Sequence, residues 1–464
     1  MKKRLFSLLL CMAFALSLLS WAAPARALAA EKKLTDESRS LYVGETFKLK
    51  LKNASGTVKW KSSNTSVAKV KKGKVTALKA GKATITATNK GKKYKCKVTV
   101  TEFEGALTAV QSMKIGWNLG NYFDVTEKVF KNRSIDRLIT GWGNPIVDES
   151  LFKHLKELGF GAVRVPVTWI YHFDEDGNID PEWMARVKEV VDWVLDNDMY
   201  CIINMHHDTG EDNKSMDRWL FASMDNFEKN NELFSYLWAQ IADEFKDYPE
   251  RLLFEGFNEM LDENGDWMDA SEDAAQAVNE YNQLFVNTVR KTGGKNATRN
   301  LICNHYAAGI TESELYYFIQ PNDTVKDHII GQAHFYMPYQ FVNEDQPDTV
   351  FTKKLQEAME GDLGFVCDAY YSRGVDENGN QCLLPYIIGE FGANDKGNTE
   401  ERIKYYKHVI EFVKERGDTC FIWDNGNPEE FGLINRSGGE DYFPEIIEAC
   451  IEAANNTHWV DKNE

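Results

Sequence analysis

Between positions 113 and 424 the chain repeats one unit eight times: a short apolar run, then a longer amphipathic stretch. The runs fall at 113–118, 162–166, 200–206, 252–259, 301–305, 329–336, 386–390 and 419–424. They are apolar at successive rather than alternate positions, as in strands buried on both faces of a parallel sheet. Five intervening stretches, 149–158, 181–197, 227–245, 274–292 and 399–414, read as helices. In the first, Leu151, Phe152, Leu155 and Leu158 recur at helical spacing and Gly159 stops the pattern. Strand and helix alternating eight times favour an α/β fold of the closed (β/α)8 TIM-barrel type over a doubly wound open sheet. No G-x-G-x-x-G follows the first run, so nothing points to a bound dinucleotide.

What ends the runs says where chemistry would sit. Their carboxyl ends carry Asn118, Arg164, His206, Glu259, His305, His334 with Tyr336, Glu390 and Trp423. The carboxyl ends of barrel strands share one mouth, where the active sites of such barrels form. Glu259 in Phe257-Asn258-Glu259 and Glu390 in Gly389-Glu390-Phe391 are the two acids of the set. Two facing carboxyl groups, one holding its proton and one ionised, suit acid/base and nucleophilic attack on a glycosidic bond. Asn258 offers an amide to a sugar hydroxyl, and Gly389 lets the backbone approach closely. Arg164 is the expected charge partner of Glu390, lowering its pKa. His334 and Tyr336, two apart, are expected to donate to the same carboxylate. Trp423 offers a flat apolar face for a pyranose ring. Trp169, Trp219, Trp267 and residues 337–341 are further candidate subsite residues, whereas Trp183, Trp193 and Trp238 fall on helices and read as core.

His206-His207-Asp208 also invites a metal reading. Adjacent strand residues point to opposite faces, which separates the two imidazoles, and the chain has no H-E-x-x-H or H-x-H. No metal or other cofactor is expected. Acidic turns at 174–178, 262–266 and 376–380 lack the calcium-loop spacing and read as ordinary Asx–Gly turns.

Charge divides the chain. Residues 31–103 hold 19 Lys and Arg against 5 Asp and Glu, whereas residues 104–464 hold 31 against 66. Such asymmetry marks two modules with different surfaces. The basic module alternates at period two in 46–51, 58–60, 67–70, 83–88 and 94–100, with glycines between, and is expected to form a small β-sandwich around Trp60. Its lysines either contact an anionic cell-wall polymer or are simply solvated strand faces. Nucleic-acid binding does not fit, because interleaved exposed aromatics are lacking.

Ahead of both modules, Lys2, Lys3 and Arg4 precede an apolar stretch and then Ala25, Ala27, Ala29 and Ala30. Residues 1–29 thus read as a secretory signal, with a retained anchor as the alternative, and no later stretch is long and apolar enough to span a bilayer. Beyond Cys11 the chain has seven cysteines at irregular spacing, which is not a disulfide framework. Cys201, Cys303 and Cys420 lie in predicted strands as small hydrophobes, and Cys367 with Cys382 is the one local pair that would suit a bridge.

Two resemblances add to this reading. Trp60-Lys61-Ser62-Ser63-Asn64, Gly73-Lys74-Val75-Thr76-Ala77 and Ala80-Gly81-Lys82-Ala83-Thr84-Ile85 resemble the group 2 bacterial Ig-like domains. In the acidic module, seven motifs occur in order: Gly116-Trp117-Asn118-Leu119-Gly120-Asn121, Trp142-Gly143-Asn144-Pro145, Val163-Arg164-Val165-Pro166, Asn204-Met205-His206-His207, Phe257-Asn258-Glu259, His334-Phe335-Tyr336 and Gly389-Glu390-Phe391-Gly392. Together they resemble glycoside hydrolase family 5, and the second and fourth look like its subfamily 4. The resemblance implies a retaining endo-β-1,4-glucanase with Glu259 as acid/base and Glu390 as nucleophile. It places Arg164, His206, Asn258, His334 and Tyr336 around the sugar, with Trp423 stacking on it; Asn118 and His207 are further candidates for substrate binding or support, although many relatives have only one histidine at 206–207. Relatives act on cellulose, mixed-linkage glucan, xyloglucan, xylan or glucomannan, so the backbone sugar stays open. A non-catalytic surface glycan binder on the same scaffold would be expected to have lost one glutamate. The expected organisation is a signal at 1–29, an Ig-like domain at 31–103 and a catalytic barrel at 104–459, acting as a secreted or wall-associated monomer.

Overall fold

The computed structural model describes residues 31–210, 216–375 and 381–458. The proposed signal segment, with Cys11, and the acidic turn at 376–380 lie outside the described residues, as does the side chain of Cys382.

Eight parallel strands close into a barrel. They are β1 (Gly116–Asn118), β2 (Ala162–Val165), β3 (Tyr200–Asn204), β4 (Leu252–Glu255), β5 (Leu301–Asn304), β6 (Ile329–Phe335), β7 (Tyr386–Phe391) and β8 (Thr419–Ile422), with β8 pairing back to β1. Every residue of every one of these strands is buried, because each faces the barrel axis or the surrounding helices. The helices include Glu149–Leu158, Pro181–Asp196, Met224–Glu244, Glu272–Thr292, Lys353–Arg373, Thr399–Lys414 and Pro444–Asn456. Glu149–Leu158 ends where Gly159 takes φ 115°, a left-handed conformation that glycine adopts without strain. The short helix Ala106–Ser112 plugs the amino-terminal mouth. Its Ala109 and Val110, with Met113, pack against Ile202, Leu253, Ile302, Ile330, Ile387 and Phe421 inside the barrel. With one end filled by hydrocarbon, the other is left for polar groups.

One irregularity matters for the site. Along β6 and β7, Ala333 pairs with Ile388 but His334 pairs with Glu390, so Gly389 is bulged out of register. The bulge re-aims Glu390. A Cβ on residue 389 would lie 2.4 Å from Oε1 of Gln332, so any larger residue would have to push that buried amide aside.

The basic module is a sandwich of a four-stranded sheet and a three-stranded sheet. The first orders Ser38–Tyr42, Lys92–Thr101, Gly81–Asn89 and Lys59–Ser62; the second orders Thr46–Lys48, Lys74–Ala77 and Ala68–Lys71. In Gly81–Asn89 residues Ala83, Ile85, Ala87 and Asn89 are buried and the positions between them are partly exposed, as the period-two pattern required. The core is aliphatic, built from residues such as Leu41, Leu49, Val75, Ile85, Val98 and Val100. Trp60 is only partly buried and packs at the margin of this core, so the expected Trp60-centred core is corrected: its strand Lys59–Ser62 lies at the edge of the four-stranded sheet.

The sandwich seats on the amino-terminal side of the barrel. The Phe103 ring lies 4.7 Å from Tyr42, edge to face, and the Arg299 guanidinium is 5.6 Å from the same ring. Glu104 takes its backbone N–H to the Glu250 carboxylate at 3.0 Å, while its carbonyl accepts from Asn300 at 3.0 Å. Residues 246–251 and 293–300 precede β4 and β5, so this contact lies at the opposite end from Glu259 and Glu390.

Among the described residues no helix is long and apolar enough to cross a membrane. Cys201, Cys303 and Cys420 are buried free thiols inside strands, and Cys367 is a buried free thiol against the Tyr386 hydroxyl. The turns at 174 and 262 are Asx turns: the Asp174 carboxylate accepts from the N–H groups of Asp176 and Asn178, and that of Asp262 from those of Asn264 and Asp266.

Candidate active site

A guanidinium sits at the centre of the carboxyl-end mouth. Arg164 projects from β2 into the barrel and is fully buried. Its Nη1 donates to Glu390 Oε1 at 2.7 Å and to Asn118 Oδ1 at 3.0 Å. Its Nη2 donates to Asn258 Oδ1 at 2.8 Å. The remaining edge of the fork closes on Glu255, Nε to Oε2 at 2.7 Å and Nη2 to Oε1 at 2.8 Å. A buried cation is tolerable only when its donors are matched in this way. Asn118 in turn donates to the carbonyls of Gly389 and Ile422, so both ends of its amide tie strands together.

Glu259 and Glu390 meet here. Oxygen atoms of the two carboxylates and a ring nitrogen of His334 all lie within 4.8 Å of one another. The environments of the two acids differ. Glu390 accepts from Arg164 and, at 2.9 Å, from the Tyr336 hydroxyl, and its side chain is 6% exposed. Glu259 is 20% exposed, and its Oε1 lies 2.7 Å from His334 Nδ1. Burial, opposed by Arg164 and reinforced by the Glu255 charge, pushes the Glu259 carboxyl up to about 7. Burial also raises Glu390, against the pull of His334 and Arg164. Arg164 does pull Glu390 down as expected, but a net lowering is corrected: desolvation outweighs the guanidinium. His334 is pushed down to about 4 by burial and is neutral near pH 7. A second correction concerns His334 and Tyr336, which do not serve one acid: Tyr336 bonds Glu390, while His334 is 3.7 Å from Glu390 and bonds Glu259.

The two imidazoles were expected on opposite faces, and they are not. β3 ends at Asn204, so His206 and His207 lie beyond the strand and its alternation. Their ring centres are 4.5 Å apart, and with Asp124 they bring ligand-type atoms within 4.8 Å of one another. The donor set is nonetheless already engaged. Asn204 accepts the Val167 N–H on Oδ1, which turns its Nδ2 toward His206 Nδ1 at 3.1 Å. That contact makes Nδ1 an acceptor and leaves the ring hydrogen on Nε2, where a metal would need a lone pair. Asp124 accepts from the N–H groups of Asn121 and Tyr122 at 2.9 and 2.6 Å, holding their loop. The trio reads as donors and loop supports.

Aromatic rings lie against the two histidines. Trp423 lies parallel to His206 with ring centres 6.0 Å apart, and Trp142 meets His207 edge-on at 6.1 Å. Asn144, from the Trp-Gly-Asn-Pro element, donates to the carbonyls of Asn121 and Asn425 and stitches the loops after β1 and β8. Other candidates fall elsewhere. Trp169 is fully buried with its indole N–H on the Asn204 carbonyl, so it is core. Trp219 is partly buried and donates to Asp208. Trp267 is 43% exposed in the loop after β4. Within 337–341, Tyr339 is exposed and Phe341 buried. His305 ends β5 but bonds Tyr370 and the Gly309 carbonyl, away from both acids. Trp183 and Trp238 are fully buried, as their helical spacing implied.

Two members of the network were not anticipated, Glu255 and Asn204. A signal was present: each is a polar residue inside an otherwise apolar run, Leu252-Leu253-Phe254-Glu255 and Ile202-Ile203-Asn204. Inside a barrel such a residue must find a partner.

Comparison with known proteins follows this geometry. The family model described as Cellulase (glycosyl hydrolase family 5) matches residues 123–429, and that described as Bacterial Ig-like domain (group 2) matches residues 30–100. The chain is 34% identical over 358 residues to endoglucanase B of Neocallimastix patriciarum, covering 75% of this chain and 72% of the relative. Among solved structures, a GH5-4 broad specificity endoglucanase from Ruminococcus champanellensis with bound cellotriose superposes with a TM-score of 0.69 at 36% identity, covering 75% of this chain and 99% of that one. A glycoside hydrolase family 5 enzyme from Prevotella bryantii, in complex with a xyloglucan tetradecasaccharide, superposes with a TM-score of 0.68 at 32% identity, covering 77% and 100%.

Proposed function

The chain belongs to glycosyl hydrolase family 5, and from that premise we propose that it is a secreted, retaining endo-β-1,4-glucanase that uses Glu259 and Glu390. The observation that carries the reading is the unequal pair of facing carboxylates at the barrel mouth. Their separation, within 4.8 Å between oxygen atoms, suits direct attack and leaves no room for the water an inverting pair needs.

Glu390, oriented by Arg164 and Tyr336, attacks the anomeric carbon and forms a glycosyl ester as the glycosidic C–O bond breaks. Glu259, which holds a proton up to about pH 7, gives it to the departing oxygen. Once the leaving chain diffuses away, the Glu259 carboxylate takes a proton from water. The resulting hydroxide equivalent attacks the same carbon and frees Glu390. Two inversions give net retention. The His206 Nε2–H and the Asn258 amide are donors for sugar hydroxyls, and Trp423 and Trp142 are the stacking faces. Trp267 extends the cleft on the Glu259 side.

The substrate is a β-1,4-glucan backbone, and xyloglucan is a second substrate, favoured by the complex of the Prevotella bryantii relative. The chain acts as a monomer. Residues 1–29 direct export, and the basic Ig-like domain holds the enzyme at an anionic wall polymer from the end opposite the cleft.

An NMR time course on a soluble cello-oligosaccharide tests the mechanism. The β-anomer is expected to appear first; early α-anomer would overturn retention. A substrate panel of carboxymethyl cellulose, xyloglucan, xylan and glucomannan, assayed for reducing ends, tests the sugar assignment, with xylan or glucomannan preferred over both glucans as the overturning result.

A further inference from the structure

Glu255 is a fully buried acid beside the two carboxylates of the mouth, and neither acid/base nor nucleophilic chemistry has a use for it. It lies at the end of β4, 0% exposed, with its Cα paired to that of Asn204. It accepts three hydrogen bonds: two from Arg164, at 2.7 and 2.8 Å, and one from Asn204 Nδ2, at 3.0 Å. The same Asn204 nitrogen faces His206 Nδ1. One carboxylate thus fixes both the cation that holds the nucleophile and the amide that sets the His206 tautomer.

Resting on the reading of Glu259 as acid and Glu390 as nucleophile, we propose that Glu255 is a positioning residue for that reaction. It takes one edge of the Arg164 fork and balances its charge, so that the other edge is aimed at Glu390 without stripping the proton from Glu259. The groups around Glu255 bear this out. Arg164 faces it from β2, Asn204 and His206 from the end of β3, Glu259 from the loop after β4, His334 and Tyr336 from β6, and Glu390 from β7. His206 and His334 are neutral near pH 7, both driven down by burial, and Tyr336 is driven up. The charge in this pocket is therefore set by one arginine and the three glutamates. Glu255 itself is held below the usual carboxylate range by Arg164 in spite of its burial, so it is the carboxylate that stays ionised. Without it, Arg164 would act undiluted on both remaining acids.

The sign is definite. Removing a negative charge lowers the pKa of both Glu390 and Glu259. The acid limb of kcat/KM, set by Glu390 losing its proton, and the alkaline limb, set by Glu259 losing its own, should move together toward lower pH. In Glu255→Gln each limb is expected to fall by about one unit. Glu255→Asp keeps the charge but is one methylene shorter and spans the fork poorly, so its limbs should lie between wild type and Glu255→Gln, with a lower kcat. The experiment measures kcat/KM against pH on soluble β-glucan for wild type, Glu255→Gln, Glu255→Asp and Glu259→Gln, with thermal midpoints alongside. Limbs that stay in place while the midpoint falls, or that move in opposite directions, would overturn the proposal and leave Glu255 a packing element. If Glu255→Gln does not fold, a folded Glu255→Asp with wild-type limbs and kcat overturns it equally. Glu259→Gln separates this failure from that of the underlying reading: if it keeps the alkaline limb, Glu259 is not the acid.

Discussion

The sandwich and the barrel treat a polar strand residue in opposite ways. In the sandwich strand Lys92–Thr101, Lys93, Lys95 and Lys97 are exposed while Cys96, Val98 and Val100 are buried. A polar residue there reaches water at no cost and needs no partner. In the barrel all strand residues are buried, so Asn118, Arg164, Asn204 and Glu255 have no water to turn to. Each must be satisfied by a neighbour, and the neighbours are one another. One fold turns most of its polar strand residues into solvent, with Ser62 and Asn89 as buried exceptions; the other condenses them into a network. The function of the barrel follows from that condensation, and it is why the sandwich shows no comparable site.

The largest effect that would break this contrast is removal of the proposed nucleophile. Glu390→Ala is expected to lower kcat by about 10⁴-fold or more while polysaccharide binding, measured by calorimetry or affinity electrophoresis, persists. Near wild-type turnover in the purified variant would mean that the network does not carry the chemistry. Next comes Glu259→Gln, expected to cost roughly 10²–10⁴-fold on polysaccharide. Its loss should shrink for aryl glycosides whose leaving groups need no proton. In wild type, activity should fall as pH rises through about 7, because Glu259 then gives up the proton it must donate. A wild-type alkaline limb well above that region would assign the proton to another group.

The same contrast explains what could be read from the sequence. Eight runs placed the barrel, and their terminal residues named most of the side chains that meet at its candidate site, because a strand buried on both faces is apolar throughout and any exception stands out. Glu255 and Asn204 are such exceptions, masked because the apolar runs read on to Glu259 and His206 whereas the strands themselves end at Glu255 and Asn204. The roles of His334 and Tyr336 were not legible at all: two residues two apart in sequence reach different acids, His334 bonding Glu259 and Tyr336 bonding Glu390, and spacing alone does not tell which. The facing of His206 and His207 depended on β3 ending at Asn204, a boundary that no periodicity marks. In the sandwich the alternation was clear, yet the place of Trp60 was not, since the order of strands in a sheet, which puts Lys59–Ser62 at an edge, leaves no periodic trace.

A smaller effect sharpens the comparison by perturbing both cores alike. Ile85→Ala in the sandwich and Ile202→Ala in the barrel each delete a fully buried side chain. Each is expected to cost about 2–5 kcal/mol, read from denaturant unfolding. Only the second should disturb catalysis. Ile202 pairs with Arg164 across β2 and β3, and a loosened guanidinium should lower kcat by about tenfold or more. Ile85→Ala should leave kcat on soluble substrate unchanged, because the sandwich touches the end of the barrel opposite the mouth. A matched fall in both variants would show that the seam around Phe103 and Arg299 couples the two cores.

The smallest effect concerns the lysines. Lys93, Lys95 and Lys97 are exposed, and replacing all three by Gln should change stability by no more than about 0.5 kcal/mol per site. Turnover on soluble glucan should not change either, since charges at that distance are screened within about 8 Å at physiological salt. Retention on an anionic wall polymer is the one property that should respond. If the strand faces hold the enzyme there, the triple variant should elute from wall sacculi at lower salt than wild type. Lysines that are merely solvated would give identical elution. The outcome decides whether a sandwich that sheds its polar residues into solvent does so only to stay folded, or also to present them as a surface.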